Sequence, residues 1–115
     1  MDYRAYAEEW EAAWNAHDLD RILAHYSADV VFRSQKAMRL VGQGELRGRT
    51  QLRDYWAQAL KAQPNLSFVV VDVFEGHGMM VITYRNQKNV FAAETLRFGP
   101  DGSVVEASAC HLRTG

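Results

Sequence analysis

Everything after Pro64 reads as β-structure, and everything between the chain's start and Pro64 is dominated by helical periodicity. Leu66 to Phe74, Met79 to Arg85, Val90 to Phe98 and Val104 to Leu112 are each rich in β-branched and aromatic residues. Turn-forming stretches separate them: Glu75-Gly76-His77-Gly78, Asn86 to Asn89, and Gly99-Pro100-Asp101-Gly102. Short connections force consecutive strands to run antiparallel, so this half is a meander. A meander needs something to cover its apolar face, and the preceding helices are the only supply.

Those helices announce themselves by spacing. Tyr3, Tyr6, Ala7, Trp10, Ala13 and Trp14 recur at helical intervals, with Glu8, Glu9 and Glu11 between them. Asn15-Ala16-His17 ends that helix, and Asp18 is the N-cap of a second, with Leu19, Ile22, Leu23 and Tyr26 as its apolar stripe. Ser27-Ala28-Asp29 makes a turn and Val30-Val31-Phe32 opens a first strand. Gln35 to Arg47 mixes Met38, Leu40 and Val41 with two glycines and reads as a short strand or an ordered loop. Gly48 marks the entry to a third helix, with Leu52, Tyr55, Trp56, Ala59 and Leu60 in step and Gln63-Pro64-Asn65 as its stop. The expected fold is α+β: three N-terminal helices packed on a curved, mainly antiparallel sheet that encloses a conical pocket.

At 115 residues the chain suits a single domain spanning 1–115. Its net charge of −1 gives no basic excess for nucleic acid or an anionic membrane. The lone cysteine, Cys110, cannot form an intrachain disulfide, which suits the cytoplasm. We find no signal peptide, membrane span, repeat or low-complexity segment.

Strand parity then decides which side chains enter the cone. Ala92, Glu94, Leu96 and Phe98 share one face, and three of the four are apolar. A carboxyl there is costly unless it is paired, hydrogen-bonded or protonated. Glu94 is therefore either the polar point of a small-molecule site or a structural group bonded to an Arg or Tyr. Val105, Ala107, Ala109 and His111 should face inward on the last strand, and Met80, Ile82 and Tyr84 on the strand after the first turn. Ser34 joins them if the first strand keeps its alternation through Val30 and Phe32.

Glu94, His111 and Tyr84 are the candidate catalytic residues. Burial would raise the Glu94 pKa toward the range useful for proton transfer. His111 titrates near neutrality without help, and Tyr84 can donate to an oxyanion. Trp10, Trp14, Phe32, Ser34 and Trp56 are the candidate ligand-binding wall. Each also has a plain reading as core or as a locally hydrogen-bonded side chain. Ser34 lacks a nucleophile elbow. His17, His25, His77 and His111 are scattered, so no metal site is expected. No phosphate-binding glycine loop is present either, and no cofactor is expected.

The run Trp14-Asn15-Ala16-His17-Asp18-Leu19-Asp20, followed by Tyr26-Ser27-Ala28-Asp29-Val30-Val31-Phe32, resembles the opening of the nuclear transport factor 2-like superfamily, including its SnoaL-like and ketosteroid isomerase-like members. The helix beginning Gly48-Arg49-Thr50-Gln51-Leu52 and the hairpin around Gly99-Pro100-Asp101-Gly102 are similar to later parts of the same domain. The resemblance implies a cystatin-like cone. It does not by itself imply a reaction, because the fold hosts many functions. Carried over from ketosteroid isomerase, the oxyanion tyrosine falls at Trp10, the general-base aspartate at Ser34 and the protonated aspartic acid at Glu94. Two of the three lack the needed group, so that mechanism is not implied. That enzyme is the standard case of a buried carboxylic acid kept neutral to donate a hydrogen bond, and Glu94 inherits only that position.

Two functions remain. One is a module that binds a small apolar organic molecule in its cavity. The other is a cofactor-independent acid–base enzyme (isomerase, dehydratase, cyclase or hydrolase) using Glu94 with His111 and Tyr84. In either case the outer sheet face, with Phe91, Ala93, Thr95, Ser108 and Cys110, is partly apolar and points to a homodimer.

Overall fold

The computed structural model describes residues 1–113. Its elements are α1 (Tyr3–Asn15), α2 (Leu19–Leu23), β1 (Tyr26–Ser34), α3 (Gln35–Val41), β2 (Glu45–Arg47), α4 (Arg49–Ala62), β3 (Phe68–Gly76), β4 (Met79–Asn86), β5 (Phe91–Phe98) and β6 (Val104–His111). The strands form one sheet in the order β2-β1-β6-β5-β4-β3. All neighbours pair antiparallel except β1 and β6, which run parallel. The architecture is α+β, as expected, with a mixed sheet carrying helices on its inner face.

Among the described residues there are four helices where three were expected. The extra one, α3, occupies the segment read as strand or loop. Its signals were local: the Ser34 hydroxyl accepts from the Ala37 N–H at 3.3 Å, and Gly42 closes the helix at φ +80°. Only Ala37 of its seven residues is buried, so no apolar stripe betrayed it. β2, just beyond it, is the short strand left open as an alternative.

The inner boundaries shift for physical reasons too. α2 stops at Leu23, and Tyr26 belongs to β1. Ser27-Ala28-Asp29 lies within β1 as a break in pairing: Tyr26 opposes Val104, yet Val31 already opposes Glu106. A second irregularity corrects the parity of β6. Phe98 opposes Val104 and Arg97 opposes Glu106, leaving Val105 as the extra residue of a β-bulge. Val104, rather than Val105, is therefore the fully buried one.

The core lies between the sheet's inner face and the helices. Met80, Ile82, Tyr84, Ala92, Leu96 and Ala107 form its floor, met by Trp10, Trp14, Leu52 and Trp56. Aromatic edges lock the layers: Trp14 meets Trp56 at 5.0 Å, and Trp10 stacks on Phe68 at 5.4 Å. Side chains of α1 also finish the edge of β3. Asn15 accepts from the Phe68 N–H and donates to its carbonyl, and Glu11 accepts from the Val70 N–H at 2.6 Å. These bonds occupy groups that an edge strand would otherwise leave free.

Candidate active site in the cone

Four strand termini gather at one end of the sheet. Ser34 ends β1, Asn86 ends β4, Phe91 begins β5 and His111 ends β6, and all lie at that end. Between this end and helices α1, α3 and α4 sits a cavity of about 60 Å³. Its deep wall is Trp10, Trp14, Phe32, Trp56, Leu66 and Tyr84, with Glu94. Its mouth is Lys36, Gln63, Asn86, Gln87 and His111. All eight residues singled out from the sequence line this one space.

Glu94 is 4% exposed, opposite Ile82 on one side and Ala109 on the other. Among the described residues no cation lies within ion-pair distance of it. Burial pushes its pKa up to about 8, and the Tyr84 hydroxyl, 3.4 Å from Oε1, only partly offsets that rise. The carboxyl therefore holds its proton near neutrality and can donate as well as accept. Tyr84 is buried and its own pKa is raised, first by burial and then by Glu94.

His111 stands apart from this pair. It opposes Ala92, which places it diagonally across the strand pair from Glu94, on the same face and nearer the mouth. Its pKa is lowered by partial burial and by the charges of Lys36 and Arg39. Ser34 is committed to capping α3, which accounts for its burial without catalytic chemistry. It also sits beside Tyr55, whose pKa is raised by burial.

Sequence reasoning missed a set of donors around the carboxyl. Among the described residues, the hydroxyls of Tyr6 and Tyr26 and the indole N–H groups of Trp10 and Trp14 are buried without a hydrogen-bond partner. Tyr26 and Tyr6 both have raised pKa values, caused mainly by burial, with Glu94 contributing to each. The available signal was residue type: tyrosine and tryptophan recurring on a helix's buried face carry polar tips into it. Of these four, only the Trp10 and Trp14 indoles line the cavity that also holds Glu94, and they favour a guest that brings acceptor oxygen. No three His, Cys, Asp or Glu side chains among the described residues converge as a metal site, and no helix is long and apolar enough to cross a membrane.

Comparison with known proteins agrees on the fold. The family model described as SnoaL-like domain matches residues 7–113. A SnoaL-like protein of unknown function from Burkholderia thailandensis E264 is 38% identical, superposes with a TM-score of 0.91, and the match covers 96% of this chain and 95% of that one. A protein of unknown function with a cystatin-like fold from Methylobium petroleophilum PM1 is 16% identical at a TM-score of 0.78, covering 98% of this chain and 77% of the other. TerC, crystallised with polyporic acid, is 12% identical at a TM-score of 0.80 over 97% of this chain and 92% of its own. The search of curated proteins gives no match. A family model over nearly the whole chain, joined by a relative that superposes along its length, identifies this protein as a member of the SnoaL-like domain family.

Proposed function

We propose that the protein binds a small, mainly apolar organic molecule in the cone, with an oxygen of that molecule directed at Glu94. The observation that carries this reading is the buried, cation-free Glu94 at the inner end of an aromatic-lined cavity. Apolar walls with few convergent polar groups are the ordinary make-up of a small-molecule site. The test is a titration with 2-pentanone, a slim ketone, followed by NMR of the tryptophan indole N–H signals. Trp10 and Trp14 should shift together and saturably. Shifts confined to surface residues would sink the proposal.

The raised Glu94 pKa favours a second reading, a cofactor-independent acid–base enzyme. A carboxyl titrating at about 8 exchanges protons readily near neutral pH. Glu94 would move the proton, Tyr84 would steady the developing oxyanion, and His111 would assist from the mouth. Deuterium incorporation next to the ketone carbonyl in D₂O separates the two readings. Exchange that is lost in Glu94→Gln while binding persists means catalysis; binding without exchange means a binding module.

The outer face of the sheet supports a homodimer as the working assembly. Val69, Phe74 and Met79 are exposed there, beside the half-buried Val81, Phe91, Ala93 and Thr95. The four helices do not cover this face, and a large uncovered apolar patch marks an interface. Sedimentation should give a dimer, and Phe74→Lys should give a monomer with unchanged cavity signals. The single cysteine, exposed Cys110, fits a reducing cytoplasm.

A further inference from the structure

The mouth of the cone is charged in one sense only. Lys36 and Arg39 project from α3, and Lys88 from the turn joining β4 to β5. Lys36 lines the cavity itself, and all three line the groove that continues from it past Tyr55, Ala59 and Gln63. Arg39 also borders a broad open concavity on the other side, which shares Ser34, Ala109 and His111 with the inner cavity. Among the described residues no acid lines either outer depression, and Glu94 is the one acid on the inner cavity.

Elsewhere five arginines, Arg21, Arg33, Arg47, Arg53 and Arg97, meet carboxylates. Of the described residues, Arg4, Arg49, Lys61 and Arg85 stand without a carboxylate but do not cluster at one opening. Among the described residues, no carboxylate lies within ion-pair distance of Lys36, Arg39 or Lys88. Their mutual repulsion is felt: half-buried Lys36 has its pKa lowered by burial, then by Lys88 and Arg39. Gathering like charges without counter-charge works against stability, and a partner that supplies the counter-charge reverses the sign.

Cavity size sets the shape of that partner. An engineered apolar cavity of about 150 Å³ is the kind that accommodates benzene, and the inner space here is about 60 Å³. Only a slim end can enter, and the rest must lie at the mouth. Inside, neutral Glu94 and the indole donors place no negative charge against an incoming anion.

We propose that the natural ligand is an anion: a slim, mainly apolar body that enters the cone with a carbonyl oxygen toward Glu94 and ends in a carboxylate held at the mouth by Lys36, Arg39 and Lys88. This rests on the cavity reading above and specifies the ligand class. Gln63 and Gln87, joined across the mouth by a 2.8 Å hydrogen bond, offer amide groups beside the same position.

The experiment compares 5-oxohexanoate, which extends the ketone probe by a carboxylate, with its neutral twin 5-oxohexanamide, using the Trp10 and Trp14 indole signals as the readout. 5-Oxohexanoate should bind roughly tenfold more tightly, the sum expected from a few partly exposed charge contacts. Its affinity should fall as salt rises, whereas that of 5-oxohexanamide should not. In the double variant Lys36→Gln/Arg39→Gln the preference for the anion should collapse; Lys88→Gln alone should give a smaller loss. These positions lie at the surface or half-buried, and circular dichroism confirms that each variant is folded. Equal affinity for the two probes would overturn the anionic ligand and leave the cavity reading standing. If neither probe moves the indole signals, both fall.

Discussion

Glu94 and Glu106 sit on neighbouring strands, near one another in the sheet, and point to opposite faces. Glu106 faces out and accepts from Arg33 at 2.9 Å and from Arg97 at 3.3 Å. Those bonds hold its carboxyl below its ordinary pKa. Glu94 faces in, meets no cation among the described residues, and is raised to about 8 by burial. The same side chain is a charged surface strut in one place and a neutral hydrogen-bond donor in the other. Residue type alone therefore says little; the face on which a strand presents it decides the chemistry.

The largest effect should come from the inner carboxyl. Its folded pKa is above the ordinary 4.5, so the native state holds a proton that the unfolded chain releases. Its contribution is full below about 4.5 and is lost as pH rises through about 8, a total on the order of 5 kcal/mol. Glu94→Gln keeps the shape and removes the titration. Urea unfolding across this window should show wild type losing stability toward pH 8 while the variant stays flat, so the variant is the more stable at the alkaline end. A wild-type curve parallel to that of the variant would mean that the carboxyl is already ionised. Tyr84→Phe comes next. It should lower stability by about 1 kcal/mol and push the Glu94 pKa further up, visible in its carboxyl ¹³C shift.

On the outer face the effects should be smaller. Arg33→Gln takes one of two arginine partners from each of Glu106 and Glu45, which keep Arg97 and Arg47, and both carboxyls should titrate higher by NMR while the melting temperature hardly moves. A large loss of stability there would erase the contrast between the faces. The smallest effect belongs to the rim. Lys36→Gln removes one of the charges that depress His111, so its imidazole should titrate slightly higher, toward its ordinary 6.5.

The inner face was readable because strand alternation is a two-state choice and the apolar residues vote on it. That put Glu94, Tyr84, Met80 and Ile82 inside. The vote fails wherever a residue is inserted, as at Val105, because a bulge depends on pairing with a partner strand rather than on local sequence. Helix α3 escaped because it buries a single alanine, so its helicity rests on caps rather than on periodicity. With it were missed Lys36 and Arg39, the charges of the mouth. Tyr6 and Tyr26 read as packing, since a hydroxyl's lack of a partner appears only when every neighbour is placed.

The central pairing of β1 with β6 has a consequence for how the molecule comes into being. Phe32 lies opposite Ala107, and Ser34 opposite Ala109, across most of the chain's length. Such distant pairing is slow to close, because a long loop must be ordered before the contact repays it. During synthesis the first strand must wait, with Phe32 uncovered on that side, until the last one has left the ribosome. The wall holding Ala109 and His111 is thus the last to arrive, and a chain that stops short of β6 would offer chaperones and proteases an open half-sheet with Glu94 at its new edge.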